Sequence, residues 1–557
     1  MLHLAFRLMR PQNRWSMLRS LPPLAALALA VPLAAQLPEG HGSHAEQLGR
    51  VRFPTSCHGA AQRGVEQGVA YLHSFWYEKA TEAFNAAAAA DSSCAMAFWG
   101  QAMSLLHPLW TPPAPADAQV AMLAIDRGLS RARTARERDY LGAIRAYYAD
   151  YDRTDPTTRL VRYATAMDRV RRQSPSDGEA AIFYALALIA VGQANATDTT
   201  FAYQKRADSI LEPLFRREPR HPGLAHYLIH TNDVPQLAAH GLYAARRYAQ
   251  IAPDVPHAQH MPSHIFTRLG AWDDAIASNI RAAAAARAYE IQRGLNAMWD
   301  QRTHALDYLA YAFLQEGRDT AARRVAAEAA AAPAGFPAGS LPHEYAIAAI
   351  PARVALERGA WDEAARLPVR PAPEWPAAEA ITYFARAIGA ARGGDTAAAR
   401  QELVALARIE STLTASAGPQ AYWAGQVAIQ RLAAGAWLEL ARGDTAAAVL
   451  HAGQAADRED ATQKHPVTPG PVLPARELEG DLLLVVGKPA AAAQAYATAL
   501  ALSPNRARSL FGLARTAELT GDRPTALARY REFLKLMAKA EGGRPELAVA
   551  RRALASR

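Results

Sequence analysis

Small residues, aromatics and a proline recur at a fixed interval near the C-terminus. Gly480, Gly487, Ala492, Tyr496 and Ala499 are followed 34 residues later by Ala514, Gly521, Ala526, Tyr530 and Phe533, and Pro504 closes the first unit. This period constrains the fold more than any single residue does. A unit this short cannot bury its apolar face alone and must stack on copies of itself. Each unit reads as a helix, a short glycine-containing turn, a second helix and a break. A chain of 557 residues is too long for one ordinary core and calls for a repeat array or several domains. Half of the residues are hydrophobic, much of that alanine, which favours closely spaced helices over a bulky core.

These residues resemble the tetratricopeptide repeat, with its small residue at the eighth place, Gly near the fifteenth, Ala at the twentieth, an aromatic at the twenty-fourth, Ala at the twenty-seventh and Pro at the thirty-second. The stretch GVEQGVAYLHSFWYEKATEAFNAAAAADSS fits the same frame through Gly68, Tyr71, Ala80, Phe84 and Ala87. Further copies are placed near residues 95, 178, 222, 256, 303, 345, 379 and 429, while residues 113–177 are helical in pattern but out of register. The resemblance covers most of residues 60–540. It implies an all-α, right-handed α-solenoid of tetratricopeptide-like helix-turn-helix repeats, with the second, fifth, ninth, twelfth and thirteenth residues of each first helix lining a concave face. For chemistry it implies no more than a binding scaffold. The expected organisation is a signal segment (1–35), an extension (36–60), N-terminal repeats with an irregular insert (61–177), central repeats (178–345), C-terminal repeats (346–540) and a tail (541–557).

The N-terminus carries four arginines and no acid before an apolar stretch from Leu21 to Ala35, the layout of a secretory signal. Met17 is an alternative start. The apolar run is shorter than the ~20 residues that span a bilayer, so the mature chain is not expected to be integral to a membrane. Periplasmic or secreted localisation follows. Loss of Arg7, Arg10, Arg14 and Arg19 lowers the net charge from +9 to +5, spread evenly with acids, which argues against a nucleic-acid partner. Cys57 and Cys94 are the only cysteines. An even pair in an oxidising compartment favours one disulfide over two unrelated buried thiols. The repeat frame supports it, because the two residues flank one antiparallel hairpin. SCHGA lacks the second cysteine of a c-type haem site.

The same frame, set by Gly, Ala and Pro, phases the histidines. His257, His260 and His264 take the second, fifth and ninth places of one repeat, within roughly 60° of one another at about 100° per residue. His226 and His230 take the fifth and ninth places of the preceding repeat. In the following one, His304, Asp307 and Tyr311 take the second, fifth and ninth. Imidazole is the commonest protein ligand for transition metals, and pairs at i, i+3 or i, i+4 can grip an ion from one helix. A metal site from His226, His230, His257, His260, His264, His304 and Asp307 is therefore expected, with zinc, copper or iron as candidates and nickel also compatible. Asp307 could ligate or orient an imidazole, as could Asp233 more weakly, and Tyr308 and Tyr311 could place hydroxyls nearby. No glutamate lies between the paired histidines, so the HExxH arrangement is absent.

His73 and His107 take the thirteenth places of the first two repeats, three residues before Trp76 and Trp110, and could extend the groove as a ligand wall. Glu179, at a second place, could act as a base. His343, Glu344 and His465 sit at repeat junctions, and His41 and His44 precede the repeats. The functional expectation is an exported solenoid whose concave groove binds a transition metal or small ligand, with catalysis open. The rival is a non-enzymatic scaffold that binds a peptide or protein of the cell envelope along the groove.

Overall fold

The computed structural model describes residues 46–332, 334–416 and 419–555. The signal segment, His41 and His44 lie outside them. The chain from Gln47 onward forms one unit built of consecutive helix pairs. It is an all-α solenoid of the tetratricopeptide type. The non-helical exception among the described residues is a parallel pairing of two-residue strands, Met298–Trp299 with Gly335–Phe336. No helix among the described residues is long and apolar enough to cross a membrane.

The first hairpin shows how the repeat pattern becomes packing. Helices Gly59–His73 and Tyr77–Ala90 are followed by Ala95–Ser104. Phe84 is fully buried between Gly68 of its own repeat and Gly100 of the next. A Cβ at Gly68 would stand 2.7 Å from the Phe84 ring, and one at Gly100 only 2.1 Å. Tyr496 repeats the arrangement between Gly480 and Gly512, at 2.8 and 2.4 Å. Glycine on both sides lets an aromatic occupy the helix crossing, where any larger residue would overpack. Cys57 and Cys94 are joined, closing the two ends of the first hairpin as the frame predicts.

The central repeats supply the first helices that matter for chemistry: Pro222–Asn232, then the pair Pro256–His260 and Pro262–Arg268, then Asp300–Gln315. Pro262 divides what the repeat frame predicts as one helix. Proline has no N–H for the preceding turn and its ring crowds the carbonyl four residues back. The chain answers with a tighter turn, in which the His264 N–H donates to Met261 O at 3.1 Å.

The expected open groove is not what forms over these helices. Residues 461–474 run back across them: Lys464 reaches Asp233, Tyr308 donates to Thr468 O at 2.9 Å, and Arg353 donates to Gly470 O and Pro471 O. Further along, Arg506 donates to the Tyr311 hydroxyl at 2.8 Å and pairs with Glu357 and Glu477. Arg506 and Arg353 are both fully buried. Two buried guanidiniums are tolerated because each meets carboxylates or carbonyls that replace water. The C-terminal repeats thus close the concave face of the central ones.

Candidate metal centre

Six of the seven expected ligands converge, in two groups. His226, His230 and His257 each bring a ring nitrogen within 4.8 Å of the others, and so do His260, His264 and His304. All six are buried. The groups adjoin: ring centroids of His257 and His260 lie 6.0 Å apart, and those of His230 and His264 lie 5.7 Å apart. The sequence frame put His257, His260 and His264 on one face. The division instead falls within the helix Pro256–His260: His257 joins one triad, while His260 joins His264 from beyond the Pro262 break in the other.

The far nitrogen of each ring decides what the near one offers. His226 Nδ1 donates to the His73 carbonyl at 2.6 Å, and His257 Nδ1 to Gln301 Oε1 at 2.9 Å. His260 Nδ1 donates to Asn279 Oδ1 at 2.7 Å, and the Asn279 amide N–H₂ is fixed on Ala275 O, which settles the orientation of its oxygen. His264 Nδ1 donates to Asp233 Oδ2 at 2.8 Å. In each case the proton sits on Nδ1 and leaves a lone pair on Nε2. The Nε2 atoms of His226, His230 and His257, and Nδ1 of His304, are buried with no hydrogen-bond partner. His260 Nε2 and His264 Nε2 face each other at 3.0 Å. Neither carries a hydrogen, so this is a contact between two lone pairs.

The rings are held neutral. Burial, then mutual repulsion, keeps His226, His230, His260 and His304 well below the ordinary imidazole value, and burial pushes His257 down to about 3. His264 is also lowered by burial, although Asp233 opposes the shift. Asp233 itself stays ionised against its burial because Lys464 at 2.6 Å and Arg268 at 2.9 Å flank it. Burial brings the Lys464 ammonium down to about 8.

Asp307 does not join the site. It pairs with Arg353 at 2.8 Å, one buried charge answering another, and the orienting role falls to Asp233. Tyr308 borders the second triad, its hydroxyl 3.3 Å from His264 Nδ1, whereas Tyr311 accepts from Arg506 and belongs to the closing contact of the C-terminal repeats. His73 and Glu179 form a third cluster with His221, a residue the repeat frame does not single out. Glu179 accepts from His73 Nε2 at 2.8 Å and from His221 Nε2 at 3.0 Å. His73 Nδ1 then accepts from Tyr227, and His221 Nδ1 from the Leu224 N–H. Burial would raise Glu179, but the two rings hold its carboxyl below the usual range. Both ring nitrogens of His73 and of His221 have protein partners, so neither imidazole keeps a lone pair for a ligand, and Glu179 anchors the two rings. Trp76 packs against Tyr289 and Trp299, while His107 and Trp110 line a cavity beside His230. His465 lies on the same wall, its ring tilted against Trp423, and burial pushes it down to about 3. His343 and Glu344 border a separate cavity. Sequence reasoning missed Asn279 on the second helix Trp272–Arg293, Gln301 at the start of the first helix Asp300–Gln315, and Lys464 on the returning C-terminal segment.

No family model matches the chain, and no curated protein matches it. Among solved structures, a human IFIT1 dimer with m7Gppp-AAAA is 13% identical, with 87% of this chain and 92% of that chain covered and a TM-score of 0.37. Yeast Tom70 is 10% identical over 88% and 95%, with a TM-score of 0.33. The APC/C hetero-tetramer Cut9–Hcn1 is 13% identical over 89% and 90%, with a TM-score of 0.30. The similarity is confined to helical architecture.

Proposed function

We propose that this is an exported tetratricopeptide-like solenoid that holds a pair of transition-metal ions in the two adjacent histidine triads. The observation that carries this reading is the 3.0 Å approach of two unprotonated nitrogens, His260 Nε2 and His264 Nε2. Facing lone pairs repel unless a cation lies between them. Ligand bonds of ~2.0–2.1 Å in tetrahedral geometry place donors about 3.4 Å apart, so this pair already stands near ligand spacing. The partnerless nitrogens of the other four rings support the same reading, since buried polar atoms are otherwise paired.

The donor set favours copper or zinc. It is all imidazole, both cysteines are tied in the disulfide, and neither triad counts a carboxylate among its ligand atoms. Oxygen-seeking Mg²⁺, Ca²⁺ and Mn²⁺ fit poorly, and non-haem iron commonly takes a carboxylate with its histidines. Three protein ligands per ion leave a position for water or substrate, the pattern of catalytic rather than structural zinc. Such ions polarise a bound oxygen or activate water. The chain's own part is to hold six rings neutral, fix the tautomers of His226, His257, His260 and His264, and exclude bulk water. Export is supported by the basic and apolar N-terminal sequence and by the disulfide. The scaffold reading is weakened by the chain's own residues 461–474, which occupy the face where an extended peptide would lie.

Elemental analysis of protein purified without a histidine tag tests this. Two equivalents per chain are expected, falling to one in the His260→Ala, His264→Ala double variant, with an unchanged helical spectrum. A wild-type protein that takes up no copper or zinc on dialysis against either ion would refute it.

A further inference from the structure

The two histidine triads meet along a seam no wider than the triads themselves. Within them, ring centroids stand 4.2–6.5 Å apart. Across the seam, His257 faces His260 at 6.0 Å and His230 faces His264 at 5.7 Å. Ions seated in both triads are therefore neighbours, each held by three imidazoles and each with a coordination position to fill. Aromatic rings pack around them: Phe75 and Tyr248 against His226, Phe75 and Trp110 against His257, and Tyr308 against His260 and His264. A ligand shared by the two ions has to be small.

Charge decides which ions such a pocket tolerates. All six rings are buried, and neutral imidazoles bring no negative charge. Two divalent ions alone would put four positive charges there, and buried charge is costly unless an opposite charge answers it. Asp233, which accepts from His264, offsets little of that, because Lys464 and Arg268 already flank it at 2.6 and 2.9 Å. Two routes halve the charge. Copper can enter as the monovalent ion, and imidazole is among its usual ligands. Alternatively, a dianion can lie between two divalent ions. Zinc has no monovalent state and is confined to the second route.

We infer that the two triads hold a pair of copper(I) ions and that the seam between them binds dioxygen. This rests on the metal pair proposed above and adds the identity of the ions and of their shared ligand. Two-metal sites commonly clamp one ligand between their ions. Each copper(I) gives up one electron and becomes copper(II). Dioxygen takes both electrons and becomes peroxide, its O–O bond order falling from two to one, and it is bound to both ions. No proton enters or leaves. Two monovalent cations and a neutral molecule become two divalent cations and a dianion, so the buried charge is two positive units before and after. Return of the electrons to copper releases dioxygen. A lone copper(I) holds only one of the electrons, so neither triad completes this step by itself.

Metal-stripped protein, loaded with copper(I) under argon and then mixed with dioxygen, tests this. Two copper ions per chain are expected, with one dioxygen taken up per chain and one hydrogen peroxide recovered on acid quenching. The oxygenated protein should show no copper(II) paramagnetic resonance, because the spins of two copper(II) ions that share a ligand pair off. The His260→Ala, His264→Ala double variant keeps the first triad and one copper. It should lose the whole of the peroxide yield and not half of it, and after oxidation with ferricyanide it should show the full signal of one copper(II) ion. Two bound copper(I) ions without dioxygen uptake, or an oxygenated wild type with the signal of two independent copper(II) ions, overturn the dioxygen site and leave the metal pair standing. A peroxide yield only halved in the double variant overturns the sharing between triads. Two equivalents of bound zinc with copper(I) refused overturn it as well, again without touching the metal pair. A protein that takes up neither metal brings down both readings.

Discussion

Two regions of this molecule gather histidines within metal-ligating distance, and they do opposite things with them. Where the end of the first helix meets the helices Gly178–Ala194 and Pro222–Asn232, His73 and His221 spend their protons on Glu179 and their lone pairs on Tyr227 and the Leu224 N–H. In the central repeats the protons go outward, to His73 O, Gln301, Asn279 and Asp233, and the lone pairs turn inward on one another. Proximity is the same in both. What differs is which nitrogen the surroundings protonate, and an acid in the middle of a cluster closes it whereas acceptors around the rim open it. The two regions also touch, because His73 belongs to the closed cluster by its side chain and to the open one by its carbonyl.

The largest test of that contrast is Glu179→Gln. Removing the charge from a buried, doubly hydrogen-bonded carboxylate should cost about 3–5 kcal/mol in denaturant unfolding at neutral pH. The metal content should not change. Because the folded-state carboxyl is held below its ordinary value of 4.5, the wild type's advantage is fully present above that value. It is lost as pH falls through the folded value. A gap that widens on acidification would contradict an ionised Glu179, and lost metal would erase the contrast between the regions. Asp233→Asn comes next. It keeps the shape but weakens the charge-assisted bond that orients His264, and affinity at the second triad should drop about 10–100-fold in chelator competition while the first triad holds. An equal loss at both triads would mean that they act as one site. Gln301→Leu is the mildest. It removes a neutral acceptor from His257, and since such bonds are roughly half as strong as charge-assisted ones, affinity at the first triad should fall about 3–10-fold. A larger loss than that of Asp233→Asn would reverse the ranking of carboxylate over amide.

Much of the centre could be read from the repeat register. Gly270 and Gly317, with Ala275 and Pro253, phase the histidines without reference to them, and all six fall at the second, fifth or ninth places of three consecutive repeats. Asp307 obeys the same register yet is drawn away, because Arg353, on the helix Leu341–Glu357, is buried opposite it and needs a counter-charge more than a metal needs a ligand. Register says which way a side chain points, and does not say what else arrives at that point. Lys464 and the 461–474 segment illustrate the same limit, since they reach Asp233 across 231 positions of the chain and Arg353 across 117. The signal for His221 was present but local: it precedes Pro222 at a helix start, where a ring nitrogen can cap the Leu224 N–H.

The sequence by itself determined the repeat unit, the disulfide pairing within the first hairpin and the shared inward direction of six histidines, because helix periodicity and close packing at small residues act over a few turns. Only the tertiary structure decided that the histidines divide between His257 and His260 into two triads, that Asp233 and not Asp307 supports them, and that the C-terminal repeats return over the groove. Those outcomes depend on where charges and hydrogen-bond partners from remote repeats find each other away from water, and a pairing of that kind leaves no periodic trace along the chain.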